Sequence, residues 1–425
     1  MTAPSSPPKP NENPEAFLKA MAHHAIAAAK PDFGSVDLPA RPKGRVIVVG
    51  AGKAAASMAE SFEAHWKGRA EGLVITRYGH ATPTKSIEVV EAAHPIPDKA
   101  GVAASARLLE LVQSAGPQDL VIALMSGGAS SLMSLPCAGV SLSQKQEICQ
   151  RLLRSGADIT EINTVRCNLS SLKAGRLAAA TTAPVVTYII SDVAGDDLRM
   201  IGSGPTLPAV ATPQQSLDVL RRYKIDIPAD IRDAILANKV PTIAAGQTVL
   251  MGSGRTVLNA ATQFSKAHGL DVLDLGDAVV GEAREVGRAI SGVAVAIAAG
   301  NHPVRPPAVI LSGGETSVTV RGDGRGGRNA EFLLGFASYI RGAANIWSVA
   351  VDTDGIDGME DNAGACVSPE IMQKASVSDM EDALKRNDAY GFFEKVDGLI
   401  FTGPTLTNVN DFRATLILPS EGNQS

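Results

Sequence analysis

The sequence predicts an α/β protein with a Rossmann-like, doubly wound N-terminal domain and a smaller C-terminal α/β domain. Three observations carry that expectation. At 425 residues the chain exceeds the ~250 to 300 residues at which single hydrophobic cores stop growing, so two domains are the default. Apolar runs without polar alternation, RVIVVG, GLVITR, IEVVEAAHP, DLVIALMSGG and VVTYIISDV, alternate with helical stretches; such runs fit strands buried on both faces, as in parallel sheets covered by helices. Several of these runs end in Gly-, Ser- or Asp-bearing turns, where open α/β sheets bind their ligands.

Taken in order, the Pro-rich, polar start MTAPSSPPKPNENPE has no apolar signal segment and is expected to be floppy over about its first dozen residues. A helix near Pro14 to Ala29 precedes the five strand runs. From Ala209 to Val240 two polar helical stretches, DVLRRYKID and ADIRDAILANK, flank Pro228 and end at Val240-Pro241. The domain boundary is placed there, giving domains 1–240 and 241–425. A second series follows: TVLMGSG, a helix from about Arg255 to His268, LDVLDLG, a helix from about Glu282 to Ala299, AVILSGGETSVTV, a helix from Asn329 to Arg341, and IWSVAVDTDG. GLIFTGPT, paired with RATLIL, closes it.

Composition narrows the function. Hydrophobic residues at 45% and charged residues at 20% describe an ordinary globular chain. With a net charge of -5 and scattered basic residues, the electrostatic footprint of a nucleic-acid binder is missing. No apolar run reaches the ~18 residues of a membrane span, so the expectation is a cytoplasmic protein without nucleic-acid or membrane partners. The four cysteines, Cys137, Cys149, Cys167 and Cys366, form neither a C-x-x-C pair nor a metal-ligand spacing with histidine.

Five turns share one design, in which a buried strand ends in Gly, Ser or Asp where a helix should begin: Gly50-Ala51-Gly52-Lys53, Ser126 to Ser131, Ser191 to Asp197, Ser312 to Glu315, and Thr402 to Thr405. Backbone amides there attract anions; alternatively, glycine merely permits a tight turn. In the first turn, Gly50, Gly52 and Ala55 fit a dinucleotide fingerprint. The second strand, however, ends in Arg77 rather than the acid that would hold a ribose. Lys53 reads either as a point charge beside a transferring phosphate or as a surface lysine. Asp192, Asp196 and Asp197 could hold Mg2+ or accept a hydroxyl proton, or cap a helix. The loop Asp352 to Gly358 lacks the closing glutamate of a calcium loop, leaving magnesium or substrate contact. Arg321 to Glu331, with three arginines among glycines, reads as a lid bringing guanidinium groups to an anion or as a solvated loop.

Together the stretches GAGKAAASMA, EAAHPIPD, SGGASSL, INTVRCNLSSLKAGRLA, ISDVAGDDLRMIGSGPT, SGGETSVTVRGDGRGGRNAE, DTDGIDG and TGPTLTNVND resemble the glycerate 2-kinase family, whose C-terminal half is called the MOFRL domain; some members carry the label hydroxypyruvate reductase. The likeness runs in order over nearly the whole chain. It implies an ATP- and Mg2+-dependent kinase acting on the 2-hydroxyl of D-glycerate, with its active site in an interdomain cleft. Lys53 and Arg328 match the family's lysine and arginine. The chain departs from the pattern at Ala330, Leu406, Cys167-Asn168 and Met359-Glu360.

On that reading Lys53 and Arg328 neutralise the transferring phosphoryl group and Asp192 is the base. Asp192 or Asp352 lies near Mg2+. Gly127, Gly128, Ala129 and Ser130 receive the glycerate carboxylate, with Arg166 as a second anchor. Gly50, Gly52, Gly313, Gly314, Glu315, Arg325 and Asn408 are assigned to the nucleotide. Partners are then D-glycerate and ATP, with a homodimer left open. Two other readings compete: an NAD(P)H-dependent hydroxypyruvate reductase, which the missing acid disfavours, and a non-catalytic anion sensor.

Overall fold

The computed structural model describes residues 7–420 except 194, 196, 209, 210, 244, 245, 341 and 342. Six residues of the expected floppy start, and Asp196 of the acidic cluster, lie outside the described residues. In chain order the elements are α1 (Pro14–Ala27), β1 (Val46–Ala51), α2 (Ala55–His65), β2 (Glu71–Arg77), β3 (Ile87–Ala92), α3 (Lys99–Gln113), β4 (Leu120–Met125), α4 (Ala129–Leu132), α5 (Leu142–Arg154), α6 (Ile159–Asn168), α7 (Arg176–Ala179), β5 (Val185–Ile190), α8 (Pro213–Arg222), α9 (Ala229–Ala237) and β6 (Gln247–Gly252). They continue with α10 (Gly254–Ala267), β7 (Asp271–Asp274), β8 (Gly281–Glu282), α11 (Ala283–Ala298), β9 (Ala308–Gly314), β10 (Thr316–Ser317), α12 (Arg328–Ile340), β11 (Ile346–Asp352), β12 (Gly364–Val367), α13 (Pro369–Met372), α14 (Val377–Arg386), α15 (Ala389–Lys395), β13 (Leu399–Ile400) and β14 (Asp411–Ile417).

Two compact units result, one of residues Pro31–Met251 and one of Met1–Lys30 with Gly252–Ser425. Both differ from the expected 1–240 and 241–425. Helix α1 belongs with the C-terminal unit because its apolar face packs there: Phe17 lies 5.3 Å from the Phe264 ring and 5.2 Å from that of His268. The segment read as a boundary is instead part of the first unit's core. Val219, Leu220, Ile231 and Ile235 of α8 and α9 cluster with Ile148, Leu152, Ile162 and Val165 of α5 and α6.

The Pro31–Met251 unit holds a sheet of order β3-β2-β1-β4-β5-β6. β1 runs parallel to both β2 and β4, and β4 parallel to β5. All six residues of β1 and of β4 are buried, as expected of strands covered on both faces. The five expected strands are all present. TVLMGSG, expected to open the second series, instead supplies β6 beside β5. The order reverses between β1 and β4, which is where such sheets place ligands.

The other unit carries a mixed sheet, β13-β12-β11-β14-β9-β7. GLIFTGPT and RATLIL are not partners as expected: β13 pairs with β12, while β14 runs antiparallel between β9 and β11. β14, buried throughout, needs a neighbour on each edge, and two long strands satisfy more of its backbone than the two-residue β13. Helices α11 and α12 pack closely through glycines. A Cβ on Gly287 would overlap the Phe332 carbonyl oxygen, and one on Gly335 the Arg284 carbonyl. Gly287→Ala should therefore cost about 1 to 3 kcal/mol of stability, read as a lower denaturant midpoint at unchanged slope.

Candidate active site

Three turns at the carboxyl edge of the first unit's sheet follow neighbouring strands. Lys53 follows β1, Ser126 to Ser130 follow β4 and Asp192 follows β5, so the turns are spaced by the ~4.8 Å between strands. The first two lie at the reversal of strand order. Gly52 has φ 138° and a Cβ there would overlap Ser126 Oγ; glycine is required by that approach of two turns. The amides of this turn are already spent. Gly52 donates to the Ile75 carbonyl, Lys53 to Gly127 O at 2.8 Å and Ala54 to Ser126 Oγ at 3.0 Å. A Cβ at Gly50 would overlap the Leu124 carbonyl oxygen, so strand packing also asks for glycine there. What this turn offers an anion is the Lys53 side chain.

The second turn behaves differently. Ala129 donates its amide to the Ser126 carbonyl. Among the described residues the amides of Gly127, Gly128 and Ser130 donate to no backbone carbonyl. Gly128 is left-handed, with φ 81°. A methyl there would stand 3.1 Å from the His94 ring and 3.4 Å from Lys53 Cγ, which brings these three side by side. Ser130 and Arg166 line one cavity of about 510 Å3 together with Ser131, Ser134 and Lys145. This is the pairing expected of the two carboxylate anchors. Arg166 also donates to Asn163 Oδ1 at 3.2 Å. Lys145, 4% exposed, donates to Ser134 Oγ at 3.2 Å, and burial pushes its ammonium down to about 8. A larger cavity of about 1120 Å3, lined by Lys9, His268 and Trp347 among others, contains none of the motif residues and brings no charged groups together beyond Lys9.

In the second unit Arg328, at the start of α12, meets three carboxylates. Nε donates to Asp411 at 2.7 Å, Nη2 to Asp352 at 2.8 Å and Nη1 to Glu315 at 2.9 Å. Burial works against the guanidinium's charge, but Asp411, Asp352 and Glu315 outweigh it and hold the group more firmly protonated than an ordinary arginine. Asp357 holds the start of α12 in place by accepting from the Asn329 and Ala330 amides at 2.9 and 2.8 Å; burial pushes this carboxyl up to about 6. Asp411 also accepts from Arg413 at 2.5 Å, and Arg413 lies 5.0 Å over the Phe332 ring.

Residues 13–236 match a domain of unknown function, DUF4147, and residues 308–411 match the MOFRL family. The D-glycerate 2-kinase of Thermotoga maritima is 39% identical over 400 residues, covering 93% of this chain and 96% of that protein. The chain belongs to the glycerate 2-kinase (MOFRL) family. A family member from Agrobacterium vitis, provisionally named a hydroxypyruvate reductase, is 47% identical over 92% of each chain. The crystal structure of the Thermotoga maritima glycerate kinase superposes with a TM-score of 0.84, covering 94% of this chain and 98% of that one at 37% identity.

Residues expected at the nucleotide, and the arginine loop read as a lid or a solvated loop, have contacts within their own unit. The loop at 321–327 is fastened: Asn387 Oδ1 accepts from the Arg321 and Gly322 amides at 2.7 and 3.0 Å. Gly322 and Gly327 serve this packing, since a Cβ on either would overlap a neighbouring carbonyl oxygen. Arg325 pairs with Glu394 at 3.1 Å and lies 4.5 Å over the Tyr390 ring. Gly313 donates its amide to Gly276, and a Cβ on Gly314 would overlap Val279 O, so both serve loop packing. Glu315 is a partner of Arg328, and Asn408 is buried at 3% exposure. Neither the Ser312 nor the Thr402 turn opens a helix.

Magnesium fits this donor set in one manner only. Asp352 Oδ2 accepts from Arg328 and Oδ1 from the Asp354 amide at 3.0 Å. Among the described residues no three His, Cys, Asp or Glu side chains gather so as to hold an ion. That suits an ion arriving on phosphate and taking one or two carboxylates. Four residues escaped the sequence reading: His94, Lys145, Lys173 and Ser203. Lys145 had a signal, since it shares a helical stripe with Ile148 and Leu152.

Proposed function

We propose that this protein is a cytoplasmic kinase that transfers the γ-phosphoryl group of ATP, accompanied by Mg2+, to the 2-hydroxyl of D-glycerate. The observation that carries the reading is the Lys53 ammonium at the reversal of strand order, on a turn whose own amides are spent, beside the unspent amides of Gly127, Gly128 and Ser130. A dinucleotide site needs the reverse, open amides on the first turn and an acid after β2, where this chain has Arg77. The named kinases among the relatives, matched over almost their whole length, support the same choice. The four unpaired cysteines suit a reducing compartment.

In this reading the glycerate carboxylate takes the Gly127, Gly128 and Ser130 amides, with Arg166 across the cavity. The 2-hydroxyl gives its proton to Asp192 as its oxygen bonds to the γ-phosphorus, and the bond to the β-γ bridging oxygen breaks to release ADP. Lys53 neutralises the transferring oxygens, and Arg328 is the second candidate for that charge. Phosphoryl transfer asks mainly for such positioning and charge. Mg2+ would supply further charge on the phosphates, with Asp192 and Asp352 as its candidate protein contacts.

The test offers ATP and NADH separately, with D-glycerate and hydroxypyruvate. ADP release that depends on D-glycerate, with phosphorus NMR placing the product's phosphate on C2, is the expected result. NADH oxidation by hydroxypyruvate without ATP cleavage would sink the proposal. A pH dependence follows from Lys145, faced by Cys149 on its own helix, Arg166 on α6, and Cys137 and Cys167. Its charge is present below about 8 and lost above, so KM for D-glycerate should rise between about pH 7 and 9. A charge lost at roughly 10 Å in an effective dielectric of about 20 is worth about 1.7 kcal/mol, roughly 15- to 20-fold. Lys145→Met should flatten that rise, as measured by initial rates across the range.

A further inference from the structure

Lys173 is 0% exposed and, among the described residues, forms no ion pair. Burying an ammonium without a counter-charge is costly, and this one is held by two hydrogen bonds, to Gly202 O at 3.0 Å and Ser130 Oγ at 3.1 Å. Burial, then the neighbouring charge of Lys145, pushes its pKa well below that of an ordinary lysine. The backbone around it is unusual. Ala174 and Ser203, neither a glycine, have φ of 57° and 63°, and the two strained segments bind each other: Ala174 donates to Ser203 O at 3.0 Å and Gly175 to Gly204 O at 2.7 Å. Left-handed non-glycine residues are strained and persist where the surroundings fix them. What this clamp fixes is a three-group contact: Ser203 Oγ lies 2.6 Å from Ser130 Oγ, and Lys173 Nζ reaches the same oxygen.

We propose that Lys173 is a positioning residue for the acceptor acid, acting through Ser130. A serine oxygen accepts at two lone pairs and donates one proton. Lys173 Nζ donates to one lone pair; the 2.6 Å contact with Ser203 allows either hydroxyl to donate, and the proposal takes Ser203 as the donor, which fills the other lone pair and turns the Ser130 proton elsewhere. The open direction is the 510 Å3 cavity that Ser130 lines. Ser130 becomes an obligate donor, suited to a carboxylate and unsuited to a cation or a donor group. Lys173 never touches the acid; it sets the polarity of the hydroxyl that does. The inference rests on the reading that Ser130 faces the carboxylate of the acid substrate.

Lys173→Met and Ser130→Ala should each raise KM for D-glycerate about tenfold, the worth of a hydrogen bond to a charged group, and leave KM for ATP within about twofold. The double variant should equal Ser130→Ala alone, because Lys173 acts only through that hydroxyl. An unchanged KM for D-glycerate in a folded Lys173→Met protein, or a double variant in which the two effects multiply, overturns the proposal. Should Lys173→Met fail to fold, Ser203→Ala removes the other donor to Ser130 and must raise the same KM; no change there overturns it equally. If the wild-type protein fails to phosphorylate D-glycerate, the kinase reading has failed; if it turns over and these variants leave KM alone, only this inference has.

Discussion

Lys53→Met should lower kcat about 1,000-fold, roughly 4 kcal/mol of transition-state stabilisation, while the protein melts within about 2 °C of the wild type. The reason lies in what the substitution leaves in place. The Lys53 amide still donates to Gly127 O, and the neighbouring Gly52 and Ala54 amides keep Ile75 O and Ser126 Oγ, so the turn is held by backbone groups that methionine also supplies. The aliphatic stem beside Gly128 and the His94 ring is matched by the methionine side chain. The terminal charge is lost with whatever it contacts, and in a pre-organised site such a charge acts mainly where negative charge develops. Ground-state affinity should therefore change less than rate, with KM for ATP shifting far less than kcat. Steady-state kinetics beside a thermal melt checks both halves. A variant that retained the wild-type rate would remove Lys53 from the chemistry.

The sequence made the strands of the first sheet legible and their allegiances only in part. β1 to β5 stand where unbroken apolar runs put them, because burial on both faces leaves a local signature. Helix α1 shows an apolar face in its sequence, yet nothing local says that Phe17 will meet Phe264 and His268, since that choice is made by chain segments some 250 residues away. β14 has the same difficulty: its partners β9 and β11 are fixed by a sheet that closes only when all are present. Within the site, Lys53, Ser130 and Arg166 were readable from turn chemistry and resemblance. The glycines are harder, because a glycine that admits a phosphate and one that admits a carbonyl look alike in sequence; Gly50 and Gly314 each make room for a carbonyl oxygen. Lys173 lies inside the family stretch INTVRCNLSSLKAGRLA, but nothing in that stretch singles it out. A lysine whose partners are a hydroxyl and a carbonyl has no acidic neighbour at helical spacing to betray it.

Arg328→Ala should abolish measurable turnover and also destabilise its unit by about 3 to 5 kcal/mol, the usual cost of breaking buried ion pairs by removing one partner. The two effects have separate origins and separate pH dependences. In the wild-type protein one guanidinium serves Asp411, Asp352 and Glu315, whose side chains are 0%, 5% and 54% exposed. Removing it leaves Asp411 with Arg413 and takes from Asp352 its ion pair with Arg328. A carboxylate so desolvated has its folded-state pKa raised above its unfolded value, so the folded state then binds protons more readily than the unfolded one. Stability of the variant should accordingly recover as pH falls from about 7 toward the unfolded carboxylate value near 4, while activity does not return. The wild type should gain less over that range, its own rise coming from Asp357, whose carboxyl burial pushes up to about 6. Arg328→Lys separates the two roles further: it keeps one charge near the buried carboxylates but cannot present three donors in diverging directions, so it should restore most of the stability and little of the rate. Denaturant unfolding at pH 5 and 7, read beside kcat for both variants, decides the matter. An alanine variant as stable at pH 7 as the wild type would mean that these carboxylates do not depend on Arg328 at all.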